Sequence, residues 1–162
     1  SVNFPSNYPF SPPIIKYHSN SKVRIHPNIY TCGKICLSIL GTWPGPKWTS
    51  IMDVSCVLLS IKSLLDNNPL YHEPGYSSNN SNHQKLNKEY SDVILHNCVY
   101  RLYNTNKNKI PEKFKIFKSI IDIHYESNKN YILNIIKQNK NTNKRVEIPI
   151  FRIYELIKYN SF

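Results

Sequence analysis

The 162-residue chain has no alanine, four glycines, one methionine and two tryptophans. No run of about 18 consecutive apolar residues occurs, so no segment is long and apolar enough for a membrane-crossing helix. The segment from Ser1 to Phe10 lacks a basic stretch followed by an apolar one, so no secretory signal is visible. A starting methionine is also missing, and we expect the chain to be a fragment or an incomplete gene model. Acidic residues are scarce, 10 against 21 Lys and Arg, for a formal charge of +11. Such a balance invites a nucleic-acid reading. The lysines, however, are scattered among asparagines with no Arg-rich helix, and AT-rich coding DNA accounts for the surplus of Asn, Lys, Ile and Tyr.

Apolar residues make up 40%, enough for a core and too many for a disordered chain. The four cysteines are Cys32, Cys36, Cys56 and Cys98. Without a secretory signal the expected compartment is the cytoplasm, with the nucleus second, and free thiols are the default there. Cys56 and Cys98 fall in helical runs and read as packing residues. Cys32 and Cys36 flank a glycine in a loop. The spacing from His26 to Cys32 and Cys36 matches no common zinc pattern, so no metal is expected.

Five prolines within residues 1–31 exclude helix for most of that stretch. Val2–Phe4 and Ile14–Tyr17 read as strands. Ile51–Leu65 carries Val54, Leu58, Ile61 and Leu65 at helical spacing, with Val57 and Leu64 widening the face. Thr49 or Ser50 is placed to cap it, and Asp53 falls in its first turn. Residues 76–88 are polar and read as a loop. Glu89–Tyr103 reads as a second helix, with Val93, Asn97, Val99 and Tyr100 inward. After a break at 104–109, Pro111–Tyr125 reads as a third helix with Phe114, Phe117, Ile120 and Ile121 on one face. Asn130–Lys140 reads as a fourth helix and Asn139–Lys144 as a linker. Val146–Tyr159 alternates weakly and is open to strand or helix, with Pro149 arguing against a mid-sheet position.

The chemistry is concentrated between Arg24 and Trp43. A cysteine eight residues after the asparagine of His26-Pro27-Asn28, just past Gly33, suits thiol chemistry. Pro27 stiffens the bend, Asn28 offers a neutral amide donor for an oxyanion, and Cys36 is a nucleophile able to hold an acyl group as a thioester. On the residues alone, a plain turn and a small buried cysteine remain equally open.

The stretch from Phe4 to Gly75 resembles the catalytic domain of ubiquitin-conjugating enzymes. Phe4-Pro5, Tyr8-Pro9-Phe10 and Pro12-Pro13 match its proline-rich element. His26-Pro27-Asn28 matches its signature tripeptide, Gly33-Lys-Ile-Cys36-Leu its active-cysteine segment, and Trp48 its tryptophan before the long helix. Cys36-Leu-Ser-Ile-Leu-Gly-Thr-Trp-Pro-Gly-Pro-Lys-Trp48, with Asn68-Pro-Leu-Tyr-His-Glu-Pro-Gly75, is most similar to the Z-type branch. The conjugating domains of large hybrid enzymes are related to that branch, and the Gly-Thr-Trp insert marks it.

The resemblance implies an α+β fold with an antiparallel sheet, a central helix and C-terminal helices. It also implies a catalytic domain over residues 1–140, lacking the family's first helix and strands, and a basic extension of unassigned role over 141–162. Cys36 would accept ubiquitin from an activating enzyme and pass it to a target lysine, with or through a ligase. Asn28 would stabilise the oxyanion or hold the loop. His26 and Pro27 would be structural. Tyr30 stands where a tyrosine of the SUMO-conjugating relative orients the lysine, and Glu73 where the family often has an acid beside the cysteine. Trp43 and Trp48 would pack, and Tyr71 and His72 would be loop residues. Phe10, Ser50 and Ile51 are candidate ligase contacts, although Trp48-Thr49-Ser50-Ile51 departs from the family's Trp-Ser-Pro-Ala. No cofactor is implied, since the activating enzyme uses ATP. Neither membrane nor nucleic acid is implied as a partner. The alternatives are an inactive ubiquitin-pathway module or truncated fragment, and a conjugating enzyme for another ubiquitin-like modifier.

Overall fold

A computed structural model describes residues 1–18, 21–105 and 112–161. Contacts divide the chain into two units, Ser1–Ser91 and Asp92–Phe162. In the first, β1 (Val2–Asn3) pairs antiparallel with β2 (Ile14–Ile15), Val2 opposite Ile15. The prolines between them permit no helix, and a two-residue ladder needs help from packing. Part of that help is aromatic. Phe4 lies edge-on to Tyr8, with centroids 4.7 Å apart, and Tyr8 lies against Trp48 at 6.1 Å. The Trp48 indole N–H donates to the Pro9 carbonyl at 2.7 Å.

Helix α1 spans Val54–Leu64. Its cap is Asp53, not Thr49 or Ser50: the Asp53 carboxylate accepts from the Cys56 N–H at 3.1 Å. Asp53 outcompetes the earlier candidates because its extended backbone sits three residues ahead of that orphan donor. The buried face is also turned from the expected one. Val57 is fully buried and Val54, Ile61 and Leu64 are partly covered, whereas Leu58 and Leu65 are exposed. Val57 forms a core with Ile35 and Leu37, against which Ile15, Tyr17, Ile39, Leu40, Trp48, Ile61 and Leu64 pack. Cys56 is only half-buried.

Helix α2 spans Ser81–Thr105 and crosses from one unit to the other. Residues 81–88, expected as loop, are therefore helical. Asn80 starts the helix, its side-chain oxygen accepting from the Asn82 and His83 N–H groups. In a stretch this rich in Ser and Asn, no single residue stands out as the cap. Tyr90 anchors this end of α2 in the first unit, donating its hydroxyl to the Arg24 carbonyl at 2.6 Å. Burial pushes that hydroxyl's pKa up, and the Glu73 charge adds to the effect. Asn87 accepts from the buried Leu70 N–H at 3.0 Å. Val93 and Val99 are buried as expected, while Tyr100 points outward.

In the second unit, a 3-10 turn at Glu112–Phe117 leads into α3, Lys118–Gln138. The two helices expected here are one. The polar run 126–130 does not break it, because Asn128 donates to the His124 carbonyl and Lys129 pairs with Glu126. Pro111 and residues 106–109 of the expected break lie outside the described residues. Ile132 and Ile135 are the buried positions of α3, and Ile120 is exposed. The strand-or-helix ambiguity of 146–159 resolves to strand. β3 (Asn143–Ile148) and β4 (Ile153–Lys158) form an antiparallel hairpin, with Ile148 opposite Ile153. Pro149 sits in the connecting 3-10 turn, where its missing N–H costs nothing. Val146, Ile148, Ile153 and Ile157 fill one face. The mixed helices and small antiparallel sheets agree with the α+β expectation.

Candidate functional site

The segment from Arg24 to Thr42 forms a tight hairpin-like loop on the Ile35–Leu37–Val57 core. Ile29 bridges both His26 and Ile35, and the Tyr30 N–H donates to the Lys34 carbonyl at 2.9 Å. The tip turns at Gly33, whose φ is 97°. A Cβ there would lie 2.6 Å from the Tyr17 carbonyl oxygen, which is itself backbone and cannot step aside. Glycine is therefore required twice over, by conformation and by space. The Tyr17 N–H in turn donates to the Gly33 carbonyl at 2.9 Å, tying the tip to the chain after β2.

Asn28 and Cys36 face each other across this loop and exchange two hydrogen bonds. The Cys36 N–H donates to the Asn28 carbonyl at 2.8 Å, and the Asn28 side-chain amide donates to the Cys36 carbonyl at 2.9 Å. Both residues are buried, Cys36 at 3% exposure. Backbone polar groups buried this way must be paired, so the asparagine side chain substitutes for the ladder partner that a regular strand would supply.

His26 sets the entry to the pair. Its Nδ1 accepts from the Asn28 N–H at 3.0 Å, which fixes a neutral ring with the proton on Nε2. Burial first and the neighbouring His72 second push its pKa down to about 4, against the opposing pull of Asp66 and the Leu64 carbonyl. His72 is more than a loop residue: its ring lies 4.8 Å from His26, and its Nε2 meets the Asp66 carboxylate at 2.9 Å. Arg24 completes the entry, with its guanidinium 3.7 Å above the Tyr30 ring and bonded to the Pro27 carbonyl.

The structure thus brings His26, Pro27, Asn28, Tyr30 and Cys36 into one bonded loop. Glu73 lies elsewhere in the bonding pattern. It follows the 3-10 helix Pro69–His72, donates its N–H to the Leu70 carbonyl at 3.0 Å, and acts electrostatically on Tyr90. Phe10, Ser50 and Ile51 are exposed, Phe10 at 80% and Ile51 at 93%. Their two loops are tied together by the Trp48–Pro9 bond. Thr42, His72 and Arg24 are contributors that the sequence reading left without a role. A threonine beside a glycine in a short turn is a recognisable signal for a hydroxyl bonding to local backbone. The pairing of His72 with His26 leaves no such local mark.

Among the described residues, no group of three His, Cys, Asp or Glu side chains is arranged to hold a metal ion, and no helix is long and apolar enough to cross a membrane.

A family model described as ubiquitin-conjugating enzyme matches residues 1–98. The chain is 43% identical over 97 residues to the human protein named ubiquitin-conjugating enzyme E2 Z, covering 59% of this chain and 27% of that protein. The zebrafish (Danio rerio) protein of the same name is 44% identical over 97 residues, with 59% and 29% covered. The Arabidopsis thaliana protein named probable ubiquitin-conjugating enzyme E2 25 is 47% identical over 114 residues, with 62% and 18% covered. The chain therefore spans under a third of the length of these relatives. The matched region contains the whole bonded loop from Arg24 to Thr42.

Proposed function

The chain belongs to the ubiquitin-conjugating enzyme family, and from that premise we propose that it carries ubiquitin as a thioester on Cys36. The observation that carries the reading is the reciprocal pairing of Asn28 and Cys36. In the first step the Cys36 thiolate attacks the thioester carbonyl that links ubiquitin's C-terminal glycine to an activating enzyme. A new carbon–sulfur bond forms, the old one breaks, and the activating enzyme's sulfur leaves as a thiolate. In the second step a neutral lysine amine attacks the same carbonyl. An isopeptide carbon–nitrogen bond forms, the Cys36 sulfur departs as thiolate, and the amine's surplus proton is lost to solvent.

An amide nitrogen carries two hydrogens. One is spent by Asn28 on the Cys36 carbonyl, and the other serves the oxyanion that develops during attack. Tyr30 and Glu73 are assigned to the incoming lysine, Tyr30 by shielding it from water and Glu73 by attracting its ammonium form. Phe10, Ser50 and Ile51 are assigned to ligase contact, supported by their exposure on loops tied to each other. The partners are ubiquitin, an activating enzyme, a ligase and lysines of target proteins. No cofactor is required here, since ATP is consumed by the activating enzyme. The proposed location is the cytoplasm, with the nucleus second.

The test is loading. With a matched activating enzyme, ATP and ubiquitin, the chain should form an adduct that thiols release. Cys36→Ser should give an adduct that resists thiols, because an oxyester has the poorer leaving group, whereas Cys32→Ser, Cys56→Ser and Cys98→Ser should load as the parent does. If no ubiquitin or ubiquitin-like activating enzyme loads the chain, a non-enzymatic module is the correct reading. Loading with a different modifier alone would keep the chemistry and change the cargo.

A further inference from the structure

The cysteine's backbone is held from two sides, and only one of them is the Asn28 side. Asn28 binds the Cys36 N–H and the Cys36 carbonyl. The remaining polar groups of the two peptide planes that flank Cys36 are the Ile35 carbonyl and the Leu37 N–H. Both end on one hydroxyl. The Leu37 N–H donates to the Thr42 Oγ1 at 2.9 Å, and the same oxygen donates its proton to the Ile35 carbonyl at 2.7 Å. The Leu37 carbonyl is taken up by the Thr42 backbone N–H at 3.2 Å. Thr42 reaches this position because the chain reverses through the 3-10 turn Ser38–Leu40 and Gly41, whose φ is 69°.

The geometry points to Thr42 as a positioning residue that, with Asn28, clamps both peptide planes around Cys36 and so aims its sulfur for transfer. A hydroxyl is the group this task needs, since it must accept from an N–H and donate to a carbonyl at one point. Valine has the same shape and can do neither. A planar amide such as Asn28 supplies the two roles on separate atoms and could not meet both groups with one. The inference rests on the enzyme reading for its consequence in transfer, but the clamp itself is a property of the loop.

Three variants and two measurements separate these. Amide exchange of Leu37 followed by NMR reads the clamp without ubiquitin. In Thr42→Val it should rise about tenfold, as expected for losing an interaction of about 1.4 kcal/mol, and Thr42→Ser should restore protection to within about twofold. Discharge of preloaded ubiquitin to free lysine, in a single turnover well below the melting temperature, reads the positioning. Thr42→Val should slow it by about tenfold, and Thr42→Ser should stay within about twofold of the parent. Val57→Ala, which loosens the core beneath the loop, should lower the melting temperature yet leave discharge per folded molecule unchanged. Should Thr42→Val not fold, Thr42→Ala carries the same expectations.

Unchanged Leu37 protection in Thr42→Val refutes the clamp. Faster exchange with unaltered discharge refutes its role in positioning, as does a Thr42→Ser variant as slow as valine, or a Val57→Ala variant slowed equally. A parent that never loads refutes the enzyme reading, and with it any role in transfer, while the exchange measurement still decides the clamp.

Discussion

The loop around Cys36 and the β3–β4 hairpin are both chain reversals, yet they are ordered by different forces. The hairpin keeps six residues of each strand in register, Asn143 opposite Lys158 through Ile148 opposite Ile153, and packs Val146, Ile148, Ile153 and Ile157 on one face. Its order is the sum of many similar contributions. The Cys36 loop has no such ladder. Its shape depends on individual polar groups at single positions: Asn28 and Thr42 on the peptide planes, His26 on the Asn28 N–H, and Gly33 at the tip. Single substitutions in the hairpin should therefore change stability alone, whereas in the loop they should reach the proposed chemistry as well.

The largest effect is expected at Asn28. Asn28→Ala should accept ubiquitin on Cys36 but discharge it to lysine about 10²–10³ times more slowly, the usual cost of removing one oxyanion donor. Single-turnover discharge against loading checks this. A variant that melts early and loads poorly, with normal discharge in its folded fraction, would reduce Asn28 to a loop brace and soften the contrast with the hairpin.

The next effect is acid sensitivity of the loop. His26 is held neutral, its pKa lowered from 6.5 to about 4 by burial first and His72 second. The unfolded chain thus binds a proton more readily than the folded one. The contribution is complete above pH 6.5 and is lost as pH falls towards 4, by about 3 kcal/mol over that window. Denaturant midpoints should drop across it in the parent, and a His26→Gln variant should flatten the dependence. An equally steep drop in His26→Gln would place the acid sensitivity elsewhere.

The smallest effect belongs to the hairpin. Ile157→Val removes one methylene from its buried face, and should cost about 0.5–1.5 kcal/mol of stability with no change in thioester loading. Thermal melts and loading gels on the same preparation read both. A loading defect would join the two regions that the comparison separates.

Much of the loop was legible in the sequence because its signals are local. His26-Pro27-Asn28, Gly33 and Cys36 lie within a short span, and each residue type has a narrow range of uses. The apolar run of α1 was legible for the same reason, although its buried face was not. Val54, Leu58, Ile61 and Leu65 and the observed Val54, Val57, Ile61 and Leu64 satisfy the same helical period, and only contact with Ile35 and Leu37 chooses between them. The start of α2 was hidden because several asparagines and serines near Asn80 are equally good caps. The unity of α3 was hidden because Ser127, Asn128 and Asn130 are weak helix formers alone, and their support comes from side-chain bonds inside the formed helix.

By itself, then, the sequence determined the family of the chain, because His26-Pro27-Asn28, Gly33 and Cys36 stand at set spacing in the stretch that the family model matches. It also determined the place of Pro149, which no ladder interior accepts. Only the tertiary structure decided what holds those residues. His72 reaches His26 from a distant 3-10 turn, and Tyr90 reaches the Arg24 carbonyl from α2. Thr42 closes on both sides of Cys36 after a reversal at Gly41. Hydrogen bonds and ring contacts of this kind depend on where chain segments meet in space. That meeting is set by burial of the Ile35, Leu37 and Val57 core, which leaves no periodic trace at the polar positions it brings together.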